Sequence, residues 1–164
     1  RVSLDCFNLW RWTRGRDHNS SKVALQANLH LYVFPFISLM TRQKSIELLK
    51  VTSLGVIGAL IKSEDTSEAV RYLVKTELIV LCLRIMKKGS DFARTTATFI
   101  LMKILLDNTG LDYICKTDDR MNAVSQILKD LMEELLANKS GETKEQKLIT
   151  QVLRCFVRLS ENQR

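Results

Sequence analysis

Four residues near the C-terminal end have the types and spacing of a binding edge. Lys147, Gln151, Arg154 and Arg158 fall within about 60° of one another if the stretch is helical, counting 100° per residue. Three cations and an amide along three turns would hold an acidic peptide or a phosphate backbone through charge-assisted hydrogen bonds. Leu148, Ile149, Val152, Cys155, Phe156 and Leu159 occupy the other side. The same pattern also fits an ordinary solvated face on a terminal helix. A second cluster, Trp10, Arg11, Trp12, Arg14 and Arg16, could stack bases and bind phosphate. It reads equally as the loosely packed end of a domain.

Other chemistry is poorly supplied. His18 and His30 have no cysteine or carboxylate at metal-ligand spacing. Cys6, Cys82, Cys115 and Cys155 are far apart and form no CxxC pair. Three of them sit in apolar helical surroundings, as reduced core thiols do in cytosol or nucleus. Gly55 and Gly58 lie inside a helical pattern with no Lys-Ser or Lys-Thr after them, so no phosphate loop is present. Adjacent carboxylates such as Asp118/Asp119 and Glu133/Glu134 diverge in direction on a helix. No catalytic constellation and no cofactor are read from the chain; the expectation is a protein that is not an enzyme. The net charge of +7 suits anionic partners, and a solvated surface explains it as well.

The elements that position these residues read as helices throughout. With 164 residues, 46% of them hydrophobic and one proline, the chain can form one all-α domain. The longest uncharged apolar run, Val51 to Ile61, is too short to span a bilayer. Helices are expected over Leu29–Met40 with a kink or break at Pro35, Ser45–Lys62, Glu68–Lys75 and Glu77–Lys88. A polar turn is expected at Glu64–Ser67. The organising helix ends near Leu106, with Ser90 or Asp91 capping its start and Gly110 just beyond its end. Arg94 and Thr98 make one narrow polar stripe on it, and Thr96, Lys103 and Asp107 another. A helix with apolar sectors on both flanks must be packed on both. A short helix to Cys115, a long one over Asp119–Asn138, a polar loop at 138–146 and a last helix over Glu145–Ser160 complete the reading. Gly55, Gly58 and Ala59 would let a neighbouring helix come close.

YLVKT at 72–76 recurs as YICKT at 113–117, a period of 41 residues. Each copy follows a long apolar helix and precedes two further helices. That is the signature of armadillo-type three-helix repeats, whose faces are buried only by stacking. The expected fold is an all-α armadillo-type solenoid over residues 23–164, truncated at both ends, behind a divergent basic and aromatic piece at 1–22. Arg1 in first position suits a fragment or a trimmed gene model. In such a stack the third helices line a concave groove, so Lys50, Arg94 and Arg154/Arg158 would form a basic ladder.

LLKVTSLGVIGALIK (48–62), TELIVLCLRIM (76–86), GSDFARTTATFILMKILLDNTGLDYIC (89–115) and LRCFVRLSEN (153–162) closely resemble the cell-differentiation Rcd family. Members are also called the Caf-forty-type subunit of the Ccr–Not deadenylase complex. The resemblance runs from about residue 24 to the end and includes LYVFPF (31–36), similar to the family's LYLYPF-like segment. It implies the middle of a six-repeat armadillo domain and a non-catalytic subunit docked on the Not scaffold. It also implies roles in mRNA decay and translational repression, in cytoplasmic P-bodies and the nucleus. Such subunits recruit silencing and RNA-binding proteins through peptide grooves and tryptophan-accepting pockets. Nucleic-acid binding along a basic cleft and self-association are further properties the resemblance implies, and no membrane partner is among them.

The chain departs from the family pattern at identifiable places. Val80 stands where proline is usual, and Phe156 where tyrosine is usual. That tyrosine and the arginine here numbered 158 belong to the family's partner-binding region, and a lost hydroxyl removes roughly 0.5–1.5 kcal/mol of hydrogen bonding. Asn162-Gln163 replaces Asn-Pro, and residues 1–22 match poorly beyond the opening Arg-Val. Three readings follow from sequence: an adaptor with protein-binding surfaces, a direct binder of single-stranded nucleic acid, and a truncated paralogue with lost function.

Overall fold

The computed structural model describes residues 28–39, 43–62, 66–137 and 143–161. Trp10, Trp12 and the arginines around them, Cys6, His18, Met40, most of the polar loop after α7 and Asn162-Gln163 lie outside the described residues. Among those described, all regular structure is helical: α1 Leu29–Ser38, α2 Lys44–Ile61, α3 Thr66–Leu73, α4 Leu78–Lys88, α5 Asp91–Leu106, α6 Asn108–Cys115, α7 Asp118–Ala137 and α8 Thr143–Ser160. None of these helices is long and apolar enough to cross a membrane.

The packing follows the repeat. α3, α4 and α5 form one triplet and α6, α7 and α8 the next. α3 packs on α6, α4 on α7 and α5 on α8, while α1 and α2 pack on α4 and α5 as a partial unit ahead of them. Like helices therefore stack on like, as a solenoid requires. Both short helices have 8 residues, but α7 at 20 residues outgrows its counterpart α4 at 11.

α5 sits between α2, α4 and α8. Ala93, Ala97, Ile100, Leu101, Ile104 and Leu105 are all fully buried, as a helix covered on several sides requires. Each buried Leu or Ile contributes about 1.5–3 kcal/mol of transfer free energy. Thr98, expected on a polar stripe, is buried too; its hydroxyl donates to the Arg94 carbonyl at 2.8 Å, which removes the cost of burying it.

Of the kink or break expected at Pro35, the break is absent, since α1 runs through it as one helix, and two further local expectations are corrected. The bond that proline cannot make would have gone to the carbonyl of Leu31, on an exposed flank where water can satisfy it. Ser90 is the N-cap residue of α5, yet its hydroxyl makes no cap bond and donates instead to Glu47 Oε2 of α2 at 2.8 Å. Gly110 is not a terminator. Asp107, in extended conformation, ends α5, and its carboxylate accepts from the N–H groups of Thr109 and Gly110 to start α6. Gly110 is needed for contact: a Cβ there would lie 2.0 Å from the Ile104 carbonyl oxygen.

Candidate functional site

The buried residues 53, 54, 56, 57, 58, 60 and 61 of α2 map one for one onto 97, 98, 100, 101, 102, 104 and 105 of α5, a constant shift of 44 positions. The two helices run parallel, since Ser90 reaches Glu47 at their N-terminal ends and Gly58, toward the C-terminal end of α2, faces Ile100 in the second half of α5. Under that shift Lys50 matches Arg94, so both are rungs of the expected ladder. They are not free rungs. Lys50 is 2% exposed, with its ammonium 2.6 Å from Glu47 Oε1. That bond, against the opposing effect of burial, holds the Glu47 carboxyl below its usual range. Arg94 forks both guanidinium arms onto Glu134 of α7, at 2.8 and 2.5 Å. The same fork holds the Glu134 carboxyl low.

Arg158 is also engaged internally. Its Nε donates to the Leu105 carbonyl at 3.2 Å, and its two arms donate to Asn108 and Glu161. It thus ties α8 to the C-terminal end of α5, while Arg94 lies near the N-terminal end. Arg94 and Leu105 are separated by about 16 Å of helix at 1.5 Å per residue. Of the expected ladder of Lys50, Arg94 and Arg154/Arg158, the structure thus pairs Lys50, Arg94 and Arg158 internally and leaves Arg154 exposed. A guanidinium or ammonium that packing removes from water must take a partner, and these took acidic or carbonyl neighbours.

α8 is rotated slightly from the expected orientation. Leu148, Val152, Cys155 and Leu159 are buried, and Phe156 is half-buried against the core. Lys147 and Arg154 are exposed, whereas Gln151 and Arg158 turn partly inward. Gln151 Oε1 is buried and has no hydrogen-bond partner among the described residues. Leu153 and Val157 take the exposed places. Of the residues singled out from sequence, the structure leaves Lys147 and Arg154 on the free face, buries Lys50, and places Gln151, Phe156, Arg94 and Arg158 between.

A different surface emerges on the third helices. Leu48 of α2 and its equivalent Phe92 of α5 are 68% and 66% exposed. Down the same stripe of α2 lie Thr52, Gly55 and Ala59, half-buried and small, ending at exposed Lys62. On α5 the stripe continues through Thr96, Phe99 and Lys103, with the Lys103 ammonium 5.9 Å from the Phe99 ring centroid. It ends at Leu106, 47% exposed. Adjacent helices thus present a low floor of small side chains with apolar residues and lysines around it. That arrangement can hold a segment with apolar side chains and a carboxylate. Sequence reasoning missed Leu48 and Phe92; the 44-residue shift that pairs them was visible in the sequence only after the buried faces are known.

Groups with reactive chemistry are elsewhere. His30 is buried, edge-on to Phe34 and Tyr72 at 5.5 and 5.1 Å between ring centroids, and burial lowers its pKa. Tyr72 donates its hydroxyl to Asn28, which enters α1 with a positive φ of 53°. Burial pushes the thiols of Cys82 and Cys155 up to about 12, so neither is a thiolate at neutral pH. Among the described residues no three His, Cys, Asp or Glu side chains converge as metal ligands. Val80 is exposed on α4, and Arg120 stacks 4.3 Å over the ring of Tyr113.

The profile of the cell differentiation family, Rcd1-like, matches residues 5–164. Protein CAF40 of Saccharomyces cerevisiae is 45% identical over 138 residues, which are 84% of this chain and 36% of that protein. Cell differentiation protein rcd1 of Schizosaccharomyces pombe is 42% identical over 140 residues, 85% of this chain and 47% of that one. The chain spans less than half the length of these curated relatives.

Proposed function

Because the chain belongs to the Rcd1-like cell differentiation family, we propose that it is a non-catalytic adaptor of the Ccr–Not mRNA deadenylation complex. It acts in mRNA decay and translational repression by offering protein-binding surfaces, in the cytoplasm and its P-bodies and in the nucleus. The observation that carries this reading is the stripe of Leu48, Phe92 and Leu106 left exposed on parallel third helices. Large apolar side chains held out on a rigid solenoid suit a peptide that buries them. A recruiting segment from an RNA-binding or silencing protein would lay its apolar residues on Leu48 and Phe92 and an acidic residue near Lys62 or Lys103. The large Not subunit is the scaffold on which such an adaptor docks.

Two measurements test this. The chain should pull down the helical segment of the Not scaffold at physiological salt; no association there overturns the adaptor reading. Leu48→Asp with Phe92→Asp should lower affinity for a recruiting peptide at least tenfold without shifting the melting temperature, since both side chains are already exposed. Unchanged affinity would remove the stripe from the binding surface.

The exposed pair Lys147 and Arg154 favours a second reading, contact with single-stranded nucleic acid. Lys147→Glu with Arg154→Glu should abolish oligonucleotide binding and flatten its salt dependence. Arg158 is unsuited to this test, because its substitution also removes the tie to Leu105 and Asn108.

A further inference from the structure

We draw no further inference here: the strongest candidate, the outward face of α8 where Leu153 and Val157 lie exposed beside Lys147 and Arg154, is an unpartnered apolar face, and nothing in the structure shows what covers it.

Discussion

His30 sits in an aromatic setting with no hydrogen-bond partner for Nδ1 among the described residues and burial as the cause of its lowered pKa. The unfolded chain takes up this proton near the ordinary value of 6.5, before the folded chain does. Stability is therefore fully present above that value and falls as pH drops through the histidine range. Urea unfolding at pH 7.5 and 5.5 should show the loss, and His30→Phe should remove most of it. An equal loss in the variant would place the effect on another group. Glu47 and Glu134 act in a separate window: their carboxyls are held low, so their contribution is present above about 4.5 and is lost as pH falls below it. Two glycines give a contrast that sequence could not. At Gly58 a Cβ would meet Ile100 at 4.0 Å, an ordinary contact. Gly58→Ala should therefore stabilise the fold by about 0.4–1 kcal/mol, through a less flexible unfolded chain. Gly110→Ala drives a methyl into the Ile104 carbonyl and should destabilise by at least about 1–3 kcal/mol. Chemical denaturation of both variants tests the pair, and similar midpoints would contradict it.

Between elements, polar stitches fix how triplets register. Ser90 joins α5 to α2 through Glu47, Ser67 joins α3 to Asp107 at 2.7 Å, Arg94 joins α5 to α7, and Arg158 joins α8 to the α5–α6 junction. The Arg158 stitch reaches three acceptors from three nitrogens spread across a planar guanidinium, whereas an ammonium offers its donors from a single nitrogen. Arg158→Ala should cost about 1–3 kcal/mol, since a charge-assisted bond to a carbonyl and its companions are lost together. Arg158→Lys should recover only part of that. A full recovery by lysine would mean that charge alone, not the fork, matters. Hydrogen exchange should show the first effect at the C-terminal turn of α5 and the start of α6.

Across the whole molecule, stability is a sum of triplets and the contacts between neighbours, so α5, covered by α2, α4 and α8, should be the last helix to exchange its amides. The helices themselves were legible from sequence to within a residue or two at most ends, because apolar spacing and the recurring Tyr-x-x-Lys-Thr depend only on local chain geometry. The stacking of like helices was legible too, since a triplet that cannot bury its own faces must repeat. The family was legible in the long motifs of α2, α4, α5 and α8. The site was not. A helical wheel gives Lys50, Arg94 and Arg158 an outward direction relative to their own helix, but what stands opposite Arg94 and Arg158 is set by residues 40 or more positions away, Glu134, Asn108 and Leu105. Lys50, paired with Glu47 on its own helix, is buried by the packing around it. The chain by itself determined the helices, their period and the apolar spine, which follow from short-range backbone and solvent physics. Only the packed fold decided which charges were neutralised between helices and which apolar residues, Leu48 and Phe92 above all, were left facing water, because burial is a property of neighbours and not of spacing.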